Sequence, residues 1–312
     1  MEAEGCHPLL QATQEEICKT REFYNLDEQK IKDFIDAIKE WCKKQEHLVE
    51  ASKYLTHDII ERLIYLSRGS LEATKTKIDR LLTIRGLSPQ IVANRSVEEF
   101  EDYLDKYAFV PLPKMDKEQT RVFLVKHLKE NWADFDILTY MRYTFMLAEY
   151  RINFEYSLKD IYIIDFNTVT INDITKLNPV VLKDADILAR KVYGVRIKGI
   201  HVINAPAFVD LFVSLYKQMV SAKVASRIYT HTSYETLYDH LSKEILPEDY
   251  GGDAPSVEKL QEQWREYLKS DEGRKIAENS NYLVSDESRR NCAKFNEEYL
   301  GMPGSFTKLN VD

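Results

Sequence analysis

Four bases, Arg196, Lys198, Lys223 and Arg227, flank an apolar stretch, and their types and spacing suit holding an anion rather than making or breaking bonds. From Arg190 to Arg227 there are seven bases against one acid, Asp210: a local charge of +6 in a protein of formal net charge −8. The ring encloses Phe208, Val209, Phe212, Val213 and Tyr216, on what reads as a strongly apolar helix started by Pro206. A helix apolar on most sides must bury both faces, or bury one and release the other to a membrane. A basic, greasy patch on an acidic protein suggests docking onto something anionic and oily, which a membrane surface is.

Catalytic candidates are few. Gly194 and Gly199 are separated by four residues, but Ile200 and His201 follow where a phosphate-binding loop needs Lys and Ser or Thr. G-x-G-x-x-G, G-x-S-x-G and H-E-x-x-H motifs are absent from the sequence. His201 lies among apolar neighbours on a predicted strand and reads as structural. His231 and His240 are too far apart for one helical face and have no evident partner. Asp165 ends a buried strand, with nothing in the sequence to pair with it. The four cysteines, Cys6, Cys18, Cys42 and Cys292, are scattered without metal-like spacing and read as reduced thiols of a cytosolic protein. The expectation is no enzyme, no metal and no cofactor.

Composition bounds the rest. A chain of 312 residues with 30% charged residues and few Gly or Pro is globular, with one or two domains. The acidic balance argues against a nucleic-acid binder. The first five residues lack the basic flank and apolar run of a signal peptide, and no stretch approaches the ~18 apolar residues that a membrane span needs. A cytoplasmic monomer is expected.

The elements that must position these residues follow from hydrophobic period. Ile31, Phe34, Ile35, Ile38 and Trp41 mark an amphipathic helix; others are predicted after Thr56 and from Leu71 to Ile84, together a small helical bundle up to about residue 110. From 111 to about 270 strands alternate with helices: strand 121–126, helix 134–153, strand 160–165, helix 178–193, strand 196–203, helix 206–220, strand 227–230, helix 233–245. That alternation predicts βαβ units and a largely parallel sheet. Residues 271–312 read as a helical to irregular tail.

Two motifs carry a family resemblance. Gly199-Ile-His-Val-Ile-Asn-Ala-Pro206 and Leu246-Pro-Glu-Asp-Tyr-Gly-Gly252 resemble, at matching spacing, the strand-to-helix junction and closing motif of the CRAL-TRIO lipid-binding family, in its branch of α-tocopherol transfer and retinaldehyde-binding proteins. Ile163-Ile-Asp-Phe166 stands where that family has its central strand, although Asn167-Thr168 replaces the usual acidic-Gly pair. Leu63-Ile-Tyr-Leu-Ser-Arg68 matches the family's basic N-terminal run only weakly.

The resemblance implies an α/β fold with an N-terminal helical bundle and a mobile apolar lid helix over a lipid cavity. It implies a cytosolic carrier of one tocopherol-, retinoid- or isoprenoid-like lipid, associating transiently with anionic membranes. It also implies that Arg196, Lys198, Lys223 and Arg227 grip phosphoinositide headgroups. Expected pocket walls are Tyr140, Tyr143, Thr144 and Leu147 on the long helix, with Ile163, Phe166, Ile187, Val192, Val195, Ile197, Ile200 and Val202, closed by the lid residues Phe208, Val209, Phe212, Val213 and Tyr216. Tyr143 or Thr144 is expected to hold a ligand's polar end. The alternative is a phosphoinositide-sensing signalling adaptor that moves no lipid.

Overall fold

Side-chain caps start the long helices. Asp27, Thr56 and Asp136 accept the backbone N–H of Lys30 (2.7 Å), Ile59 (3.2 Å) and Thr139 (2.7 Å), satisfying donors that a helix start leaves open. The computed structural model describes residues 7–87, 89–129 and 135–290. The longer helices are α1 (Gln14–Phe23), α2 (Glu28–Lys43), α3 (His57–Leu66), α4 (Leu71–Leu87), α5 (Ile137–Phe154), α6 (Pro179–Ile187), α7 (Val209–Met219), α8 (Val257–Lys269) and α9 (Asp271–Ser280). The strands are β1 (Tyr107–Pro111), β2 (Thr120–His127), β3 (Lys159–Asp165), β4 (Ile197–Ile203) and β5 (Ile228–Thr230). Cys6, Cys292, the start of the chain and most of the expected tail lie outside the described residues.

The five strands lie in the order β1-β2-β3-β4-β5; β1 is antiparallel to β2, and the other pairings are parallel. Successive right-handed crossovers through α5, α6 and α7 always advance in one direction, so these helices fall on one face of the sheet. The opposite face carries Ile161, Ile163 and Ile203, in one cluster with Leu237, Leu241, Leu246 and Tyr250. The N-terminal helices pack through Ile60, Leu63, Ile64 and Leu81 onto Phe145 and Ile152 of α5 and onto Leu188 and Val192.

Several boundaries differ from the periodicity reading. Strand β1 had no alternating pattern to announce it, because it follows directly on the helical turn Glu101–Lys106 and ends at Pro111. The 178–193 helix becomes α6 and a π-helical turn, Leu188–Val192. Residues 233–245 are not one helix but a 3-10 stretch, Tyr234–Asp239, and loop. Pro206 lies in the turn before α7, whose Val209 N–H donates to the Pro206 carbonyl (2.9 Å).

Helix α5 is fixed by buried charge. Oε1 of Glu149 accepts from Arg85 (2.5 Å), Arg95 and the Tyr193 hydroxyl (2.8 Å), with the three charged side chains essentially inaccessible. One turn and a half further on, Glu155 takes Arg121 at 3.1 and 3.2 Å, while Arg151 forks onto Asp160 at 2.7 and 3.1 Å. Burial alone would raise both glutamates; the guanidiniums of Arg85 and Arg95, and of Arg121 and Arg151, outweigh it and hold both carboxyls below their ordinary range.

Replacing Glu149 by Gln leaves two buried guanidiniums without a counter-charge. The expected cost is about 3–5 kcal/mol, read as a lower urea midpoint at an unchanged slope.

Stability is also expected to fall with acidity. Burial, helped by Arg121, pushes His7 down to about 3, and burial pushes His127 down to about 4, from 6.5. The unfolded chain therefore takes up these protons as the pH drops below about 6.5, while the fold resists down to about pH 4. The depressed glutamates add a further loss below their ordinary range. Urea midpoints should decline steadily from pH 7.5 to 4.5; a flat series would show that these groups are not buried as described.

Candidate functional site

The face of the sheet under α5, α6 and α7 is not filled. A cavity of about 300 Å³ lies there, at the small end of the ~300–1,000 Å³ typical of ligand sites. Its floor is Phe109, Phe123, Val125, Tyr162, Ile164, Ile197 and Ile200. Pairing puts Phe123 opposite Tyr162, Val125 opposite Ile164 and Tyr162 opposite Ile200, so one face collects them all. A bulge between Asp160 and Ile161 shifts the register by one residue and lets Ile197 share that face with Ile200. The walls come from helical stripes: Tyr140, Met141, Thr144, Leu147, Ala148 and Arg151 on α5, and Leu182, Ala185, Asp186 and Ala189 on α6 and its π turn. Phe212 and Tyr216 of α7 close the top.

Of the residues expected from the sequence, Tyr140, Thr144, Leu147, Phe166, Val195, Ile197, Ile200, Phe212 and Tyr216 line this cavity. Tyr143, Ile163, Ile187, Val192 and Val202 do not. Tyr143 sits on the face of α5 turned toward Tyr107 and Trp264. Ile163 is on the wrong face of β3, one residue out of phase with Tyr162 and Ile164. Val192 is buried among the N-terminal helices, and Ile187 is buried away from the stripe formed by Leu182, Ala185 and Ala189. Val202 shares the right face but is covered, in a cluster with Phe166, Val209 and Val213. Phe208, Val209 and Val213 belong with that cluster rather than with the cavity wall.

Periodicity could not have singled out the missed floor residues Phe123, Tyr162 and Ile164. The choice between the two faces of a strand buried on both sides left no trace in the sequence.

Polar groups in the wall are few. Thr144 Oγ1 donates to its own helix at Met141 O (3.0 Å). Arg151, on Asp160, also lies over the Phe123 ring, 4.6 Å from its centre. The hydroxyl of Tyr140 has no hydrogen-bond partner among the described residues; burial pushes its pKa far up, and burial pushes the Tyr216 hydroxyl up to about 12. Tyr140, not Tyr143, therefore offers an unused polar atom at the cavity wall.

Helix α7 is two-sided. Phe212 packs edge-on against Phe166, 4.9 Å between ring centres, and stacks on Tyr216. The opposite side leaves Leu211 46% and Leu215 40% exposed, and Val180 on neighbouring α6 67% exposed. No described helix is long and apolar enough to cross a membrane.

The four bases gather toward the amino ends of β4 and β5, but three have intramolecular partners. Arg196 donates to the Tyr24 hydroxyl and to the carbonyls of Leu66 (2.9 Å) and Tyr65 (3.3 Å), joining β4 to the N-terminal helices. Lys198 pairs with Asp116 (3.1 Å) and Glu118 (3.2 Å). Arg227 donates to the Ile197 carbonyl, and Lys223 is exposed.

The two sequence motifs meet at Asp165. Its Oδ1 accepts from Asn204 Nδ2 (2.8 Å) and the Asn167 N–H (2.9 Å), and its Oδ2 from the Tyr250 hydroxyl (2.8 Å). Asp165 thus has partners that the sequence did not reveal, and they are structural. Asn204 itself stands at φ 51°, a left-handed turn that Asn tolerates. At Gly252 a Cβ would come within 2.0 Å of the Leu246 carbonyl oxygen, so the closing motif turns where only glycine fits.

Known proteins bear on this architecture. Residues 105–252 match the CRAL/TRIO domain. The alpha-tocopherol transfer protein-like protein of Mus musculus is 23% identical over 200 residues, covering 60% of this chain and 58% of the relative; that of Homo sapiens is 24% identical with the same coverage. Clavesin-1 of Rattus norvegicus is 29% identical over 96 residues, 30% of this chain and 27% of the relative. The chain thus spans under two thirds of the length of these relatives. The solved structure of Sfh5, at 15% identity and a TM-score of 0.44 over 75% of this chain and 92% of that one, is too distant to argue from. The parallel sheet, the Asp165 junction and the matched segment agree: residues 105–252, just under half of the chain, are a CRAL/TRIO domain.

Proposed function

We propose that this chain is a cytoplasmic carrier that takes one small, mainly hydrophobic lipid into the cavity and releases it at an anionic, phosphoinositide-containing membrane. The observation that carries the reading is an apolar cavity under a helix that shows the cavity two aromatic rings and shows solvent two leucines. Filling the cavity removes Phe212, Tyr216 and the sheet floor from contact with water, which favours uptake without any chemical step. The Tyr140 hydroxyl suits the single polar group of a tocopherol-, retinoid- or isoprenoid-like molecule.

Release needs α7 to lift. Seating Leu211 and Leu215, each less than half exposed, in a bilayer offers about 1 kcal/mol each, and exposed Lys223 near an anionic leaflet about 1 kcal/mol. That sum is enough to dock and small enough to leave. Arg196, Lys198 and Arg227 contribute less than their charge suggests, since all three are already partnered. The relatives' names, alpha-tocopherol transfer protein-like above all, agree with a carrier.

Native mass spectrometry of the chain from a eukaryotic host, followed by extraction, tests uptake. One hydrophobic molecule per chain is expected; a chain that stays empty when offered mixed lipids would favour the adaptor. Ala189→Phe, which places a ring in the cavity, should cut loading at least tenfold while changing the melting temperature by only a few degrees.

Transfer between vesicles tests release. Leu211→Asp with Leu215→Asp should slow transfer at least tenfold and leave loading intact. Vesicles with a phosphoinositide should outpace phosphatidylserine vesicles of equal charge; equal rates would reduce the basic cluster to general electrostatics.

A further inference from the structure

The sheet brings together three histidines that the sequence kept apart. His201 on β4, His231 just past β5 and His240 just past the 3-10 turn each offer a ring nitrogen within 4.8 Å of the other two. His201 Nδ1 and His231 Nε2 are 3.0 Å apart, close to the ~3.3 Å separation of two ligands on one tetrahedral ion at metal–nitrogen bonds of ~2.0–2.1 Å. His201 and His231 are buried, at 2% and 8% exposed, and His240 is open to solvent, which gives an ion a way in.

A hydrogen bond at the edge of the cluster aims the His231 lone pair inward. The Thr236 hydroxyl donates to the Ser233 carbonyl (3.1 Å), so toward His231 Nδ1, 2.7 Å away, it accepts. His231 therefore carries its proton on Nδ1 and points the bare Nε2 at His201, the outer-shell arrangement that fixes a ligating histidine. His201 lies against Gly199, where a Cβ would meet its Nε2 at 2.8 Å, so glycine makes room for the ring.

We propose that His201, His231 and His240 form a binding site for one divalent transition-metal ion of the Zn²⁺ kind, held by three imidazoles with a fourth position open to solvent. Imidazole donors suit zinc, copper and nickel and disfavour calcium or magnesium. On binding, His201 moves its ring proton from Nδ1 to Nε2, and no group is oxidised or reduced. The site is on the face of the sheet opposite the cavity, since His201 alternates with Ile200, and it is separate from lipid uptake. The ion would tie the three-residue edge strand β5 and the segment 232–240 to β4. A second grouping, His57, Asp58 and Glu61, is weaker, because both Glu61 oxygens are already engaged by Arg21, Tyr65 and Arg62.

The test uses the tag-free full chain, stripped with chelator and titrated with Zn²⁺ against a chromophoric chelator. One Zn²⁺ per chain and a raised melting temperature are expected. His240→Ala, at an exposed position that the fold tolerates, should weaken binding at least tenfold and abolish the temperature rise; His57→Ala should change neither. Co²⁺ in place of Zn²⁺ should give a visible absorption band that His240→Ala removes. Absence of stoichiometric binding, equal affinity in His240→Ala, or loss of the site in His57→Ala would each overturn the proposal.

Discussion

One carboxylate, Glu149, organises the molecule. It sits on the central helix α5 with its charge out of reach of water, and it is tolerable there only because Arg85 and Arg95 reach it from the N-terminal part of the chain and Tyr193 from the turn after α6. Guanidiniums and a carboxylate buried this deeply cannot slide past one another without exposing an unpaired charge. The network therefore sets the rotation of α5. With that rotation fixed, Tyr143, Met146 and Tyr150 face the C-terminal helices, while Tyr140, Thr144, Leu147 and Ala148 face the sheet across open space.

The open space persists for a related reason. Small residues on α6 and its π turn, Ala185 and Ala189, face the cavity where larger ones would fill it, and the aromatic floor of Phe123 and Tyr162 is already stacked and cannot rise. Arg151 holds its end of the cavity by bonding Asp160 and covering the Phe123 ring. Rigid walls and one two-sided helix, α7, locate compliance in a single element. The network that holds α5 thus leaves α7 as the cover of the cavity that the buried charges do not anchor.

The polar motifs divide by task. Asp165, at the cavity wall, holds the central strand, the junction before α7 and the closing turn together through Asn204 and Tyr250. The histidines at the β5 edge lie on the far face. The cavity and the histidine cluster are thereby separated by the thickness of one sheet.

Much of this was legible in the residues. Alternating strand and helix signals over 111–270 pointed to a parallel sheet, because crossover geometry leaves few other solutions. About half of the named pocket residues line the cavity, since helical stripes such as Tyr140, Thr144 and Leu147 recur at a readable period. Ile163 and Val202 fail because a strand buried on both faces is apolar at every position, and periodicity cannot say which side is empty. Arg196 and Lys198 show the same limit for charge: a sequence counts bases, whereas Tyr24, Leu66, Asp116 and Glu118, distant in the chain, decide which remain available. His201, His231 and His240 mark it most sharply. Local sequence determined each residue's type, strand and phase. Only the tertiary structure, by laying β5 beside β4 and folding the following turn back, decided that three scattered imidazoles share one point in space.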